Sequence, residues 1–283
     1  MPSKVKVWIE QKQLAIFLIV TFVYTWVFQS LLVAFAPEKA QESVFYIPSI
    51  YGPTIAALAI PLLTGGWKSL AEFLKKRLFW KVSIAWYLIA LLCIPFLLLA
   101  GRGLHLLIFP SVSLPPMVIE KPYTGLLIGF VIMLPFGPLG EELGWRGFAL
   151  PELQTRMNAL SASLILGVIW WVWHLPQLLI PELKWAVGGM TIFNYLLLML
   201  PGSVLTAWIF NNSNGSALLT ILFHASMNFF LGLLGFNSPY FLTLLIGLLW
   251  GAAILVTIIC GPTLLIKSTQ DNNQNSAVSP VQV

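Results

Sequence analysis

Long apolar stretches constrain the fold of this chain more than any other feature of its sequence. Eight of them reach about the 20 residues that a helix needs to cross the hydrocarbon core of a bilayer. They cover roughly residues 14–36, 46–63, 84–108, 123–150, 158–180, 189–210, 215–234 and 238–266. The sequence therefore predicts an all-α polytopic membrane protein with about eight transmembrane helices.

The composition excludes most other classes of protein. Of the 283 residues, 58% are hydrophobic and 9% are charged, whereas a soluble domain has about 25% charged residues. The net charge of +5 fits basic residues at a membrane surface and requires no nucleic acid partner. We divide the chain into a cytoplasmic N-terminal segment 1–13, a transmembrane domain 14–266 with a catalytic core at about 120–235, and a disordered cytoplasmic tail 267–283.

Basic residues predict how the chain is oriented in the membrane. If the N-terminus is inside, eleven of the fifteen Lys and Arg residues lie on the inner side, as the positive-inside rule requires. Both termini are then cytoplasmic. Between the second and third spans, residues 67–81 place Leu70, Phe73 and Leu74 at helical spacing between basic flanks, which predicts an interfacial amphipathic helix.

A pair of adjacent acids stands out in the apolar background, in the segment Gly137-Pro-Leu-Gly-Glu-Glu-Leu-Gly-Trp-Arg146. An ionised carboxylate in hydrocarbon costs several kcal/mol. Glu142 and Arg146 are four residues apart, so on a helix they can form a structural ion pair. Glu141 lies about 100° further round that helix without a local partner, which makes it a candidate functional group.

Three further polar side chains lie inside apolar spans. His174 falls in the fifth span, and His224 and Asn228 lie one turn apart on one face of the seventh. Measured along the helices from the inner ends of their spans, Glu141, His174 and His224 lie at about 21, 24 and 17 Å. This common depth predicts one polar site, beside helices that Pro135, Pro138 and Pro176 interrupt.

Each of these residues alone has a structural explanation. A buried histidine can be a satisfied core residue, and a His–Asn pair can join helices by hydrogen bonds. His105, close to Arg102 at the outer end of the third span, suits the headgroup level. The common depth is what favours a site.

Such a set of groups in a poorly hydrated cavity suits hydrolysis. A desolvated glutamate can take a proton from water and return it later, and a neutral histidine can share that work. A second histidine and an asparagine can donate hydrogen bonds to a developing oxyanion. The sequence contains no evident Ser–His–Asp arrangement and no HExxH segment, so it supports neither serine-protease nor zincin chemistry.

The motifs resemble those of the CAAX-protease and bacteriocin-processing family of intramembrane endopeptidases, also called the abortive-infection family. Its pattern is EExxxR, then FxxxH, then HxxxN or HxxxD, on separate helices. Glu141 to Arg146 matches the first motif and His224 to Asn228 the third. The second motif ends at His174, but Trp170 stands where the family usually has Phe. The resemblance covers roughly residues 120–235.

The resemblance implies a role for each residue. Glu141 and His174 would activate water, His224 and Asn228 would form the oxyanion site, and the pair of Glu142 and Arg146 would hold the helix end. The implied substrate is a membrane-associated protein or peptide. In one branch of the family it is a prenylated CAAX protein cleaved near its C-terminus, and many bacterial members are connected with bacteriocins.

Three alternatives stay open. Glu141, His174 and His224 could hold Zn²⁺ with water as the fourth ligand, or the glutamate could act without metal. A proton- or ion-coupled transporter could use Glu141 and the histidines as a relay, although the chain has no evident internal repeat. A catalytically inactive bacteriocin-immunity protein is the third alternative.

Overall fold

The computed structural model describes residues 4–38, 40–114, 124–234 and 238–263. Within these residues the chain is helical and contains no strand, so the predicted all-α class is confirmed. The α-helices are α1 (Lys4–Phe35), α2 (Tyr46–Ile50), α3 (Gly52–Arg77), α4 (Ile84–Ile108), α5 (Thr124–Met133), α6 (Pro138–Gly144), α7 (Leu150–Gln154), α8 (Ala159–Trp173), α9 (Leu175–Leu179), α10 (Ile192–Asn212), α11 (Ala217–Leu234) and α12 (Pro239–Cys260). Two 3₁₀ segments, Ala40–Glu42 and Pro181–Val187, connect some of them.

Several helices have the length and composition of membrane spans. In the described parts of the chain these are α1, α3, α4, α10 and α12, and a sixth span results if α5 and the α6–α7 segment, which meet at 43°, count as one. The helices α8 and α11 are apolar but shorter. The predicted count of eight is therefore not confirmed.

Two predicted spans are interrupted where the sequence carries prolines. The fourth breaks at residues 134–137, and the fifth ends at Trp173 and resumes as α9 after a turn at His174. Pro138 and Pro176 lie in the first turn of the helix that follows each break. A proline fits there because the first N–H groups of a helix have no intrahelical acceptor.

The chain breaks directly before the predicted interfacial helix. Helix α3 contains one non-helical residue, Gly66 (φ 67°, ψ −162°), a conformation that glycine adopts at little cost. The basic segment follows this break and stays helical to Arg77, short of the predicted end at Lys81. Its position at the membrane interface stays a prediction.

The domain limits are also predictions. Helix α1 begins at Lys4, so most of the predicted N-terminal segment 1–13 continues into the first span as one helix. The predicted disordered tail 267–283 lies outside the described residues.

Two glycines allow α6 to pack directly on the end of α2 and the start of α3. A Cβ atom at Gly144 would overlap the Pro53 ring and lie 2.5 Å from its carbonyl oxygen, and one at Gly140 would lie 2.7 Å from the Ile50 carbonyl oxygen. Small residues four apart let helix backbones approach closely in membranes. This face of α6 is therefore filled by the contact with its neighbours. The acids of α6, Glu141 and Glu142, lie on other faces of the helix.

A five-residue π-helix, Trp145–Ala149, joins α6 to α7. The N–H of Leu150 donates to the carbonyl oxygen of Trp145, five residues back. The next residue, Pro151, has no N–H to donate. The fully buried Trp145 ring lies 5.7 Å from the Phe17 ring of α1 and 5.9 Å from the Trp173 ring of α8. These aromatic contacts fix the segment in the core.

Gly144→Ala should destabilise the protein by about 1–3 kcal/mol, because an added methyl group overpacks the contact with Pro53. Detergent-solubilised protein unfolded by heat or denaturant gives the measurement. The matched control is Gly202→Ala in α10, where a Cβ meets nothing within 4 Å. Equal stability of the two variants would contradict the packing described for α6.

Candidate active site

One cavity of about 330 Å³ contains all four polar groups that the sequence singled out. Glu141 comes from α6, His174 from the turn between α8 and α9, and His224 and Asn228 from α11. We call them the four site residues: Glu141, His174, His224 and Asn228. The three titratable ones are buried, with 4–6% of their surface exposed. The structure thus brings together groups that lie up to 87 residues apart in the chain.

The break before α6 places Glu141 against the cavity. Gly137 has φ 123° and ψ −72°, a conformation that glycine tolerates because it has no Cβ. A Cβ at this position would lie 3.5 Å from Glu141 Oε1 and 3.6 Å from Asn228 Nδ2. The turn therefore lies directly beside two of the site residues.

Glu141 has a partner that sequence spacing did not indicate. Its Oε2 accepts a hydrogen bond from the indole Nε1 of Trp170 at 2.6 Å. Trp170 is the residue that departs from the usual family motif, and it is 29 positions away. The departure therefore falls on a residue that contacts the candidate base.

Glu142 joins two cationic or potentially cationic groups. Its Oε1 accepts from Arg146 Nη1 at 2.9 Å and from His224 Nδ1 at 3.0 Å. The side chains of Glu142 and Arg146 are 0% exposed. The sequence predicted the contact with Arg146 but not the one with His224. Glu142 thus orients a site residue as well as pairing with Arg146.

Arg146 is held by further contacts from other helices. Its Nη2 donates to Ser203 Oγ at 3.4 Å, and that hydroxyl donates to the Ser163 carbonyl oxygen at 2.7 Å. Its Cζ lies 4.3 Å from the centre of the Trp170 ring, a cation–π distance. The guanidinium therefore ties α10 and α8 to the segment that carries the acids.

Hydrogen-bond partners indicate which ring nitrogen of each histidine is left for a reaction in the cavity. His174 Nδ1 lies 2.8 Å from the Trp170 carbonyl oxygen, which can only accept, so Nδ1 carries the hydrogen and Nε2 is left with a lone pair. His224 Nδ1 likewise faces a carboxylate and donates to it. In both rings Nε2 is the atom left for reaction.

The rest of the cavity is mostly apolar. Its wall includes Met133, Phe136, Met190, Leu198, Met199, Met227 and Leu231. Gln177 and Tyr195 also line it, and the sequence analysis did not single them out. Gln177 follows His174 by three residues and shares its face, which could have indicated it; no sequence pattern indicates Tyr195.

The geometry does not fit a zinc site with three protein ligands. Within the ranges that the structure describes, no group of three His, Cys, Asp or Glu side chains is placed to hold a metal ion. The hydrogen bonds at Nδ1 of His174 and His224 leave Nε2 of each ring as the atom that could coordinate a metal. Dependence on Zn²⁺ stays a hypothesis for experiment.

Arg146→Ala should destabilise the fold by about 3–5 kcal/mol, because it leaves Glu142 buried without its cation. Thermal unfolding of the purified variant measures this. Arg156→Ala removes an exposed arginine and is the matched control, expected within about 0.5 kcal/mol of the wild type. Loss of stability in the control alone, or in neither variant, would show that the pair does not support the fold.

Comparison with known proteins covers the segment that carries the four site residues. Residues 123–230 match the family described as type II CAAX prenyl endopeptidase Rce1-like. The CAAX prenyl protease 2 of Methanococcus maripaludis is 28% identical over an alignment 141 residues long, which covers 43% of this chain and 52% of that protein. The match thus spans about half the length of this curated relative. Because all three motifs lie within residues 123–230, the resemblance to the CAAX-protease family is confirmed for the segment that carries the candidate site.

Proposed function

We propose that this protein is an intramembrane endopeptidase that hydrolyses a peptide bond near the C-terminus of a membrane-associated protein or peptide. The observation that carries the proposal is the single cavity that all four site residues line. The family match over the same segment supports peptide hydrolysis as the reaction class.

Glu141 is the proposed general base. Its Oε2 is engaged by Trp170, while Oε1 lies on the side of the Gly137 turn and Asn228. Oε1 is therefore the oxygen that can take a proton from a water molecule in the cavity. The lone pair of His174 Nε2 can accept a hydrogen bond from the same water and help to orient it.

Charge balance favours His224 as the oxyanion donor. The charges of Glu142 and Arg146 cancel, so an ionised Glu141 leaves the buried cluster with one net negative charge unless His224 is protonated. A buried uncompensated charge is costly. In the protonated ring Nδ1–H bonds Glu142, and Nε2–H is available to a developing oxyanion.

These roles give a balanced hydrolysis. The water oxygen bonds to the scissile carbonyl carbon as Glu141 takes one of its protons. The carbonyl oxygen gains negative charge and is stabilised by His224 Nε2–H and the Asn228 amide. The C–N bond then breaks as Glu141 returns the proton to the leaving nitrogen. The products are a carboxylic acid and an amine.

The substrate class follows from the surroundings of the cavity. The wall is largely apolar, and the helices around it are suited to a bilayer, so a substrate tethered to lipid suits these surroundings. The relative is named a CAAX prenyl protease, and a prenylated CAAX peptide is therefore the first substrate to test. Gln177 and Tyr195 are the wall residues proposed to bind its backbone.

We also propose that both termini are cytoplasmic, as the basic residues predict. A cysteine at the exposed position of Arg156 should then react with an impermeant maleimide only from the cytoplasmic side, in a protein lacking Cys93 and Cys260. A cysteine at the exposed Lys184 is the matched control and should react from outside. The opposite labelling pattern would reverse the orientation.

Glu141→Gln should lower peptide cleavage by about 10²–10⁴-fold, because the amide cannot act as a base. Mass spectrometry of a farnesylated CAAX peptide incubated with proteoliposomes gives the measurement. Glu152→Gln, which changes an acid of α7 outside the cavity, is the matched control and should cleave normally. Wild-type cleavage by Glu141→Gln would contradict the glutamate mechanism.

The same assay separates the alternatives. Cleavage that is lost on chelation and restored by Zn²⁺ would support a metal mechanism instead. A wild type that cleaves no membrane peptide, but loses proton-coupled flux in Glu141→Gln, would support a transporter.

Asn228→Ala should lower kcat by about 10²–10³-fold with little change in KM, because the amide stabilises charge that exists only in the transition state. Steady-state kinetics on the same peptide test this. Asn194→Ala, an amide near the start of α10 that does not line the cavity, is the control. A raised KM with unchanged kcat would make Asn228 a substrate-binding residue only.

A further inference from the structure

We infer that Trp170 is a positioning residue of this site, which orients the Glu141 carboxylate through its indole N–H and fixes the tautomer of His174 through its backbone carbonyl. The inference rests on the proposed function, because positioning matters only if Glu141 and His174 act on water. The motif of the family that the sequence resembles has Phe at this place, so a role for the tryptophan goes beyond that resemblance.

The first contact is a short hydrogen bond to the candidate base. The distance from Trp170 Nε1 to Glu141 Oε2 is 2.6 Å, at or below the usual range of charge-assisted N–H···O bonds. Both side chains are buried, with 2% and 5% of their surface exposed. Tryptophan has one donor and no acceptor in its side chain, so the contact fixes one carboxylate oxygen and leaves the other for water.

The second contact uses the backbone of the same residue. The Trp170 carbonyl oxygen lies 2.8 Å from His174 Nδ1, one helical turn further along α8 and its terminal turn. This bond holds the hydrogen on Nδ1 and leaves the Nε2 lone pair of a cavity-lining residue without that hydrogen. Both groups proposed to contact water are therefore oriented by one residue.

Trp170 is itself fixed from two sides. The Arg146 guanidinium lies 4.3 Å from its ring centre, and the His224 ring packs edge-on with centroids 5.3 Å apart at 74°. A phenylalanine could keep a ring face for Arg146 but has no N–H for Glu141. The indole thus adds a constraint that the usual Phe cannot supply.

The neighbouring tryptophan provides the matched control. Trp171 Nε1 donates to the Ile192 carbonyl oxygen at 3.0 Å, and Trp171 does not line the cavity. Trp170→Phe and Trp171→Phe therefore remove the same atom from adjacent residues, but only the first removes it from the site.

Kinetics on the full-length protein in proteoliposomes, with the farnesylated CAAX peptide, test the inference. Trp170→Phe should lower kcat by about 10- to 100-fold, the loss expected for a hydrogen bond to a charged group, while KM stays close to the wild-type value. Trp171→Phe should keep wild-type kinetics. Wild-type kcat in Trp170→Phe, or an equal loss in both variants, would overturn the inference.

A second measurement works without activity and covers the case in which Trp170→Phe does not fold. The indole ¹H–¹⁵N resonance of Trp170 should move upfield in Glu141→Ala, because the acceptor is gone, while the Trp171 resonance stays in place. An unchanged Trp170 resonance would overturn the contact. Absence of cleavage by the wild type would instead contradict the proposed function, and the resonance would still test the contact between the two residues.

Discussion

The ion pair of Glu142 and Arg146, buried among apolar helices, is the interaction on which the rest of the site depends. Breaking such a pair leaves an uncompensated charge, so both members must stay where the fold puts them. Each then holds a neighbour: Glu142 accepts from His224, and Arg146 lies over the Trp170 ring. Trp170 in turn contacts Glu141 and His174. The positions of the side chains in the cavity thus depend on one ion pair whose members cannot separate.

The backbone around this pair is as constrained as its charges. Gly140 and Gly144 bring α6 against the end of α2 and the start of α3, and the Gly137 turn directs Glu141 into the cavity. An interrupted span exposes backbone groups at membrane depth, which is tolerated where the break lines a cavity. In the proposed enzyme the same break lets water and a peptide meet a carboxylate inside the membrane.

Apolar run length and helical rise were sufficient to predict the all-helical class and to bring Glu141, His174 and His224 to one depth. They could not predict the contact of Trp170 with Glu141, nor that of Glu142 with His224. Spacing rules identify partners three or four residues apart on one helix, whereas these partners lie on different helices. The predicted limits of the fourth and fifth spans ran through the interruptions at residues 134–137 and at His174, because the apolar composition continues there. Proline positions marked both places, but periodicity alone does not reveal whether a proline bends a helix or ends it.

The central claim is that a water molecule activated by Glu141 attacks the peptide bond directly. Single-turnover cleavage in ¹⁸O-labelled water, followed by mass spectrometry of the new C-terminal carboxylate, tests it most directly. Direct attack predicts one ¹⁸O atom in that carboxylate after the first turnover, with no label in Glu141. A first-turnover product without ¹⁸O, and label in the Glu141 carboxylate instead, would mean that Glu141 attacks as a nucleophile, and would contradict its role as a base.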